Sequence, residues 1–127
     1  MLSRDEVVRR YKEYIDACNR RAWDELGGHV ADCVLVNGSV RSRREYVADV
    51  MATTSAFPDF RWEVRRVVLE GEWIAVHLHD TGTRVDDFLG ARGDGTRVET
   101  DEFDMYRIVD SRIVEVEGTA DNARLCQ

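Results

Sequence analysis

The chain has 127 residues, 43% of them apolar and 34% charged, and a formal net charge of −7. That length supports one sizeable core and one domain spanning residues 1–127, and the composition is that of a folded globular protein rather than a disordered one. The negative balance excludes nucleic acid and anionic membranes as natural partners, because both present phosphate and demand a basic surface.

No apolar run approaches the roughly 20 residues that span a bilayer. The opening Met1-Leu2-Ser3-Arg4-Asp5-Glu6 carries acids and lacks the apolar core of a signal peptide, so the expectation is a cytoplasmic protein. Cys18, Cys33 and Cys126 form an odd set without CxxC spacing, which reads as buried free thiols in a reducing compartment.

Ser3-Arg4-Asp5-Glu6 is a capping-box pattern. Behind it Val7, Val8, Tyr11, Tyr14, Ile15 and Cys18 recur at helical spacing, predicting a first helix from Arg4 to Arg20. A shorter helix from Ala22 to Val30 would bury Trp23, Leu26 and Val30, with Gly27-Gly28 weakening it and His29 near its end, where a cation favours the dipole. Cys33 to Val36 is β-prone and ends at the turn signal Asn37-Gly38. Ser42-Arg43-Arg44-Glu45 is a second capping box, opening a helix whose inward face is Tyr46, Val47, Val50 and Met51, and Phe57-Pro58-Asp59 stops it.

The remainder reads as strands: Phe60 to Leu69, Trp73 to Thr83, Thr96 to Val109 and Arg112 to Gly118, separated by the turns Glu70-Gly71-Glu72, Asp94-Gly95 and Asp110-Ser111. Three helices and a short strand followed by an antiparallel meander predict an α+β fold, with the helices on one face of a curved, mostly antiparallel sheet.

Alternation along Thr96 to Val109 places Thr100, Glu102, Asp104 and Tyr106 on one face and Phe103 and Met105 on the other. An acid held inside a mostly apolar enclosure has its charged form disfavoured, which suits it to donate a proton or a hydrogen bond. The competing reading is a solvated strand face with ordinary surface acids. His77 and His79 share a face, alternating with Ile74, Val76 and Leu78, which points them to the outside of the sheet. They lack the third ligand a metal site needs, so no metal is expected. The arginines at 41, 43 and 44 and at 65 and 66 lie among acids and read as solvated faces, and Arg92-Gly93-Asp94 reads as a hairpin loop. Trp62 and Trp73, with Phe60, Phe88 and Phe103, supply aromatic surface for a pocket or for core.

Several segments resemble the SnoaL-like polyketide-cyclase branch of the nuclear-transport-factor-2-like superfamily. They are Phe57-Pro58-Asp59-Phe60-Arg61-Trp62, Gly71-Glu72-Trp73-Ile74-Ala75-Val76, Thr81-Gly82-Thr83, Phe88-Leu89-Gly90 and the run from Tyr106 to Glu115, in the family's order and spacing. The resemblance implies a conical barrel around one small-molecule pocket, a homodimer through the outer sheet face, and cofactor-free chemistry that stabilises an enolate while a side chain moves a proton. It places Asp104 where the cyclases carry a histidine and Gly118 where they carry an aspartate, with Asp121 three residues further on. The more distant similarity to ketosteroid isomerase places Tyr14 and Asp104 at that enzyme's oxyanion-binding positions and Asn37 near its base.

The expectation is therefore an isomerase, dehydratase or cyclase acting without a cofactor on an apolar, carbonyl-bearing or polycyclic small molecule. Asp104 and Tyr14 are its catalytic candidates, and Asn37, Glu102, Trp62 and Tyr106 its substrate contacts. The alternative is a non-catalytic binding or scaffold protein of the same fold. A cavity in which Asp104 converges with another polar group favours the enzyme; a closed apolar one favours the alternative.

Overall fold

Two serines set where two of the three helices begin. In the computed structural model, which describes residues 3–119 and 125–126, Ser3 Oγ accepts the Glu6 amide at 3.3 Å and opens helix α1, Arg4–Arg20. At Ser42 both halves of the capping box form, with Glu45 N on Ser42 Oγ at 3.1 Å and Ser42 N on Glu45 Oε1 at 2.9 Å. Helix α3, Arg43–Ala56, starts there. Caps of this kind satisfy amides that would otherwise lack intrahelical partners.

Helix α2, Trp23–Gly28, is shorter than the expected Ala22 to Val30. It has no side-chain cap and ends in two glycines. The His29 carbonyl is then taken by Ile113 N at 2.9 Å, so Val30 is buried as the first residue of strand β1, Val30–Val36, and not as a helical one. Asn37 and Gly38, both at positive φ (47° and 85°), turn the chain into strand β2, Ser39–Ser42, a short return strand not expected from the sequence.

The inward face of α3 also differs from expectation. Tyr46, Val50 and Thr54 follow one another at four-residue steps toward the sheet, which rotates Met51 outward to 41% exposure. Of the three cysteines only Cys18 is buried; Cys33 is exposed because it falls on the outward side of β1.

The long strands are β3 (Arg61–Glu70), β4 (Trp73–Arg84), β5 (Thr96–Val109) and β6 (Arg112–Thr119). The six strands form one sheet in the order β2-β1-β6-β5-β4-β3, antiparallel except where β1 and β6 run parallel. Helix α1 packs on β3, and α2 and α3 pack on β1. Along β4 every second residue from Ile74 to Arg84 is buried, so one face of the sheet looks toward the helices. Ile74, Val76 and Leu78 meet Tyr11, Tyr14, Ile15 and Cys18 of α1 in a single apolar core. Each large aliphatic buried there contributes about 1.5–3 kcal/mol.

Three polar devices hold the wall around the cavity. Asn19 pairs with the backbone of edge strand β3 as another strand would, its Nδ2 donating to Trp62 O at 2.8 Å and its Oδ1 accepting Trp62 N at 2.9 Å. Asp59 accepts both Thr83 N (2.7 Å) and Thr83 Oγ1 (2.8 Å), tying the end of α3 to β4. Buried Arg84 donates to Arg92 O at 2.6 Å and to Leu125 O at 2.8 Å, fixing the Arg92-Gly93-Asp94 loop and Leu125 against the sheet. The arginines of the 41–44 cluster meet acids as expected, Arg41 on Asp49 and Arg43 on Asp32.

Candidate active site

Between the helices and the inward sheet face lies a cavity of about 270 Å³. All six residues expected at the site line it: Tyr14 from α1, Asn37 from the end of β1, Trp62 from β3, and Glu102, Asp104 and Tyr106 from β5. Phe60 and Phe88 line it as expected, but Trp73 and Phe103 do not. Phe103 points to the opposite side of the sheet because residues 103 and 104 alternate, and there it is 57% exposed and stacks on His77 with centroids 4.5 Å apart.

Asp104 is 6% exposed and accepts a hydrogen bond from Tyr106 Oη at 3.3 Å. Its cross-strand partner on β6 is Gly118. A Cβ at position 118 would fall inside the Asp104 carboxyl, overlapping Oδ1 and lying 2.8 Å from Cγ. Gly118 thus leaves the space that the acid occupies. Asn37 holds that glycine in turn, its Oδ1 accepting Gly118 N at 2.9 Å while its own amide donates to Val116 O. Asn37 is both the turn residue and a cavity contact, and its carbonyl oxygen is engaged by the backbone.

A third acid completes the group. Asp80 on β4 lies opposite Thr100, one inward step from Leu78, which lies opposite Glu102. It is 2% exposed, and its Oδ1 has no hydrogen-bond partner among the described residues. Sequence reasoning passed over it, although the signal was present. Ile74, Val76 and Leu78 mark the inward face of β4, and Asp80 is the next residue on that face.

Burial is the main cause that raises all three acids. Asp104 is pushed up to about 9 by burial and by Glu102 beside it. Burial and a hydrogen bond with Asp80 push Glu102 up to about 8. Burial pushes Asp80 up to about 6, against a hydrogen bond from Glu102 that favours its ionised form. Tyr106 donates to Asp104, Glu102 stands beside both other acids, and burial disfavours the ionised form of all three.

The tyrosines form a second polar group. Tyr14 Oη and Tyr46 Oη are 2.6 Å apart, and the Tyr14 and Tyr106 rings meet edge to face at 5.9 Å. Burial raises both phenols, so they remain neutral hydroxyls. The Tyr14 hydroxyl therefore bonds Tyr46, a residue the sequence placed only in the core of α3. His29 ends α2, where burial lowers its pKa and its ring packs edge-on against Tyr14, so the cationic capping expected of it is weakened. His77 and His79 lie on the outer face and bind Asp101 and Glu99. Among the described residues no cluster of His, Cys, Asp or Glu is arranged to hold a metal ion. Asp121 lies outside the described residues.

Comparison with known proteins agrees with this architecture. The family model for SnoaL-like polyketide cyclase matches residues 6–127. A SnoaL-like polyketide cyclase from Agrobacterium tumefaciens superposes with a TM-score of 0.86 at 26% identity, covering 98% of this chain and 96% of that one. AclR from Streptomyces galilaeus, a proposed hydroxylase, gives 0.84 at 25% identity over 97% and 94% of the two chains. TsrD from Streptomyces laurentii shares the fold with a TM-score of 0.89 at 20% identity over 98% and 95%. No curated protein matches the chain in sequence. With the family model matching nearly end to end on an α+β fold of the nuclear-transport-factor-2-like kind, the chain belongs to the SnoaL-like polyketide cyclase family.

Proposed function

We propose that the protein is a cofactor-independent enzyme of small-molecule metabolism, an isomerase, dehydratase or cyclase in which Asp104 is the proton donor. One observation carries this reading: the buried carboxyl of Asp104, hydrogen-bonded by Tyr106 and pushed up by burial and by Glu102, stands in a ligand-sized cavity that Glu102 and Asp80 also line. A neutral carboxylic acid at the base of an apolar pocket supplies what an enolate or a leaving hydroxide requires, a proton or strong hydrogen bond aimed at developing negative charge. As charge grows on a substrate oxygen, Asp104 transfers its hydrogen bond from Glu102 to that oxygen. Tyr106 steadies the carboxylate that remains if the proton leaves altogether.

The cavity volume suits a small substrate or the reacting end of a larger one. Trp62, Phe60 and Phe88 offer it aromatic walls, and Tyr14 and Asn37, which also line it, act as orienting groups. Convergence of several polar groups in an open cavity supports the enzyme over a non-catalytic scaffold. Because the resemblance puts Asp104 and Gly118 at the positions of the cyclase histidine and aspartate, the acid chemistry here differs from that pair's. The outer face, with Val68, Phe103 and Met105 exposed in one patch, is the surface through which two copies would associate.

The test is conversion of cyclohex-3-enone to its conjugated isomer, with solvent deuterium incorporation as the second readout. Wild-type protein is expected to accelerate both, and Asp104→Asn to lose about 100- to 1000-fold while remaining folded. Equal rates for the two proteins would remove Asp104 from the mechanism.

A further inference from the structure

The parallel ladder between β1 and β6 ends in a side chain. Val36 lies opposite Val116, and the next residue, Asn37, still donates its amide to Val116 O at 2.9 Å. A regular parallel ladder would continue with Gly118 N donating to the backbone carbonyl of residue 37. At φ 47°, however, Asn37 has left the extended conformation to turn the chain into β2. Its side-chain Oδ1 accepts Gly118 N at 2.9 Å in the carbonyl's place. The Gly118 amide is thereby aimed at the β1 side and away from β5. Bonded and non-bonded pairs alternate along antiparallel strands, so Gly118 and Asp104 meet as a non-hydrogen-bonded pair, the kind in which two backbones approach most closely. That closeness is why a Cβ at 118 would overlap Asp104 Oδ1. No ladder bond joins the two residues directly.

From this geometry we infer that Asn37 is a positioning residue for Asp104: by holding the Gly118 backbone, it fixes the surface against which the acid's carboxyl rests. The inference deepens the proposed function by adding a residue that acts through the proton donor, and it rests on Asp104 being that donor. The two ends of one carboxamide serve differently. Nδ2 is the end that can orient a ligand, whereas Oδ1 is committed to the Gly118 amide. The residue type follows from both demands, since asparagine tolerates a positive φ and carries a carbonyl of its own to complete the ladder.

The experiment uses two substitutions. Asn37→Gly removes Oδ1 alone, because glycine adopts a positive φ freely and keeps the amide that donates to Val116 O. Asn37→Asp keeps an oxygen acceptor in the same place. Carbon-detected NMR follows the Asp104 carboxyl through a pH titration in wild type and both variants, with amide exchange at Gly118 as the second readout. In Asn37→Gly the Gly118 amide is expected to exchange faster and the Asp104 titration to fall by about one unit or more, as the loosened strand admits water to the carboxyl. Asn37→Asp should keep the Gly118 protection and show no fall, since its added charge acts only upward. In turnover Asn37→Gly should lower kcat more than it raises KM, the reverse of what loss of a substrate contact gives. Should Asn37→Gly not fold, Asn37→Ser, whose shorter side chain withdraws the acceptor, replaces it under the same outcomes. An Asp104 titration unmoved by removal of the acceptor, or an equal fall in Asn37→Asp, overturns the inference. Whether Asp104 is the proton donor is decided separately by the wild-type titration, because the positioning role is read only from the difference between variant and wild type.

Discussion

Asp104 and Gly118 face each other across β5 and β6, and the carboxyl of the first fills the space where a side chain of the second would be. The two positions form one unit. Gly118→Ala is expected to displace the acid or strain the sheet, costing about 1–3 kcal/mol. The double variant Asp104→Ala with Gly118→Ala should recover much of that loss, because the overlap is gone. A double-mutant cycle by chemical denaturation measures the coupling, and strict additivity would show that the two residues do not share the space.

The raised acids predict an inverted pH dependence. A carboxyl whose folded pKa lies above its unfolded value binds more protons in the native state between those two values, so stability falls as pH rises. For Asp80, Glu102 and Asp104 that window runs from the ordinary carboxylate range up to about 6, about 8 and about 9 respectively. Thermal unfolding between pH 5 and 9 should show Tm decreasing, and Asp104→Asn should flatten the upper part of that slope. A Tm that holds level through this range in wild type contradicts the burial argument.

Asn19 is the next residue to examine, since it alone closes two backbone groups of Trp62 at the edge of the sheet. Asn19→Ala leaves those groups without their partner and should cost roughly 1–3 kcal/mol. It should also raise KM more than it lowers kcat, because Trp62 forms wall and touches no reacting group. A drop in kcat at constant KM would give Trp62 a different part.

Much of this molecule was legible in its sequence, and the exceptions have physical causes. The helix starts at Ser3 and Ser42 could be read because a capping serine acts locally, through bonds to residues three positions on. The faces of β5 follow from alternation alone, which puts Glu102, Asp104 and Tyr106 on one side of the strand. What could not be read depends on partners distant in the chain. Val30 changes from helix to strand because β6, some eighty residues later, takes up the chain there. Asp80 gains its meaning from Glu102 on the neighbouring strand, and Gly118 from Asp104. The Tyr14–Tyr46 pair joins two helices whose relative placement no periodicity specifies.

On the outer face, His77 stacked on Phe103 and the exposed Val68 and Met105 form a surface suited to pairing with a second copy. Light scattering on the wild type is expected to give a dimer, and Phe103→Glu a folded monomer. A monomeric wild type would remove this face as an interface.

The proposed chemistry requires Asp104 to hold its proton at neutral pH. Carbon-detected NMR titration of the side-chain carboxyls, with Asp104→Asn to assign the signal, measures this directly and needs no substrate. The Asp104 carboxyl is expected to stay protonated through pH 7 and to titrate several units above the usual aspartate range, with Glu102 and Asp80 shifting when it is replaced. A signal for Asp104 that titrates near the ordinary aspartate value of about 4 would contradict it.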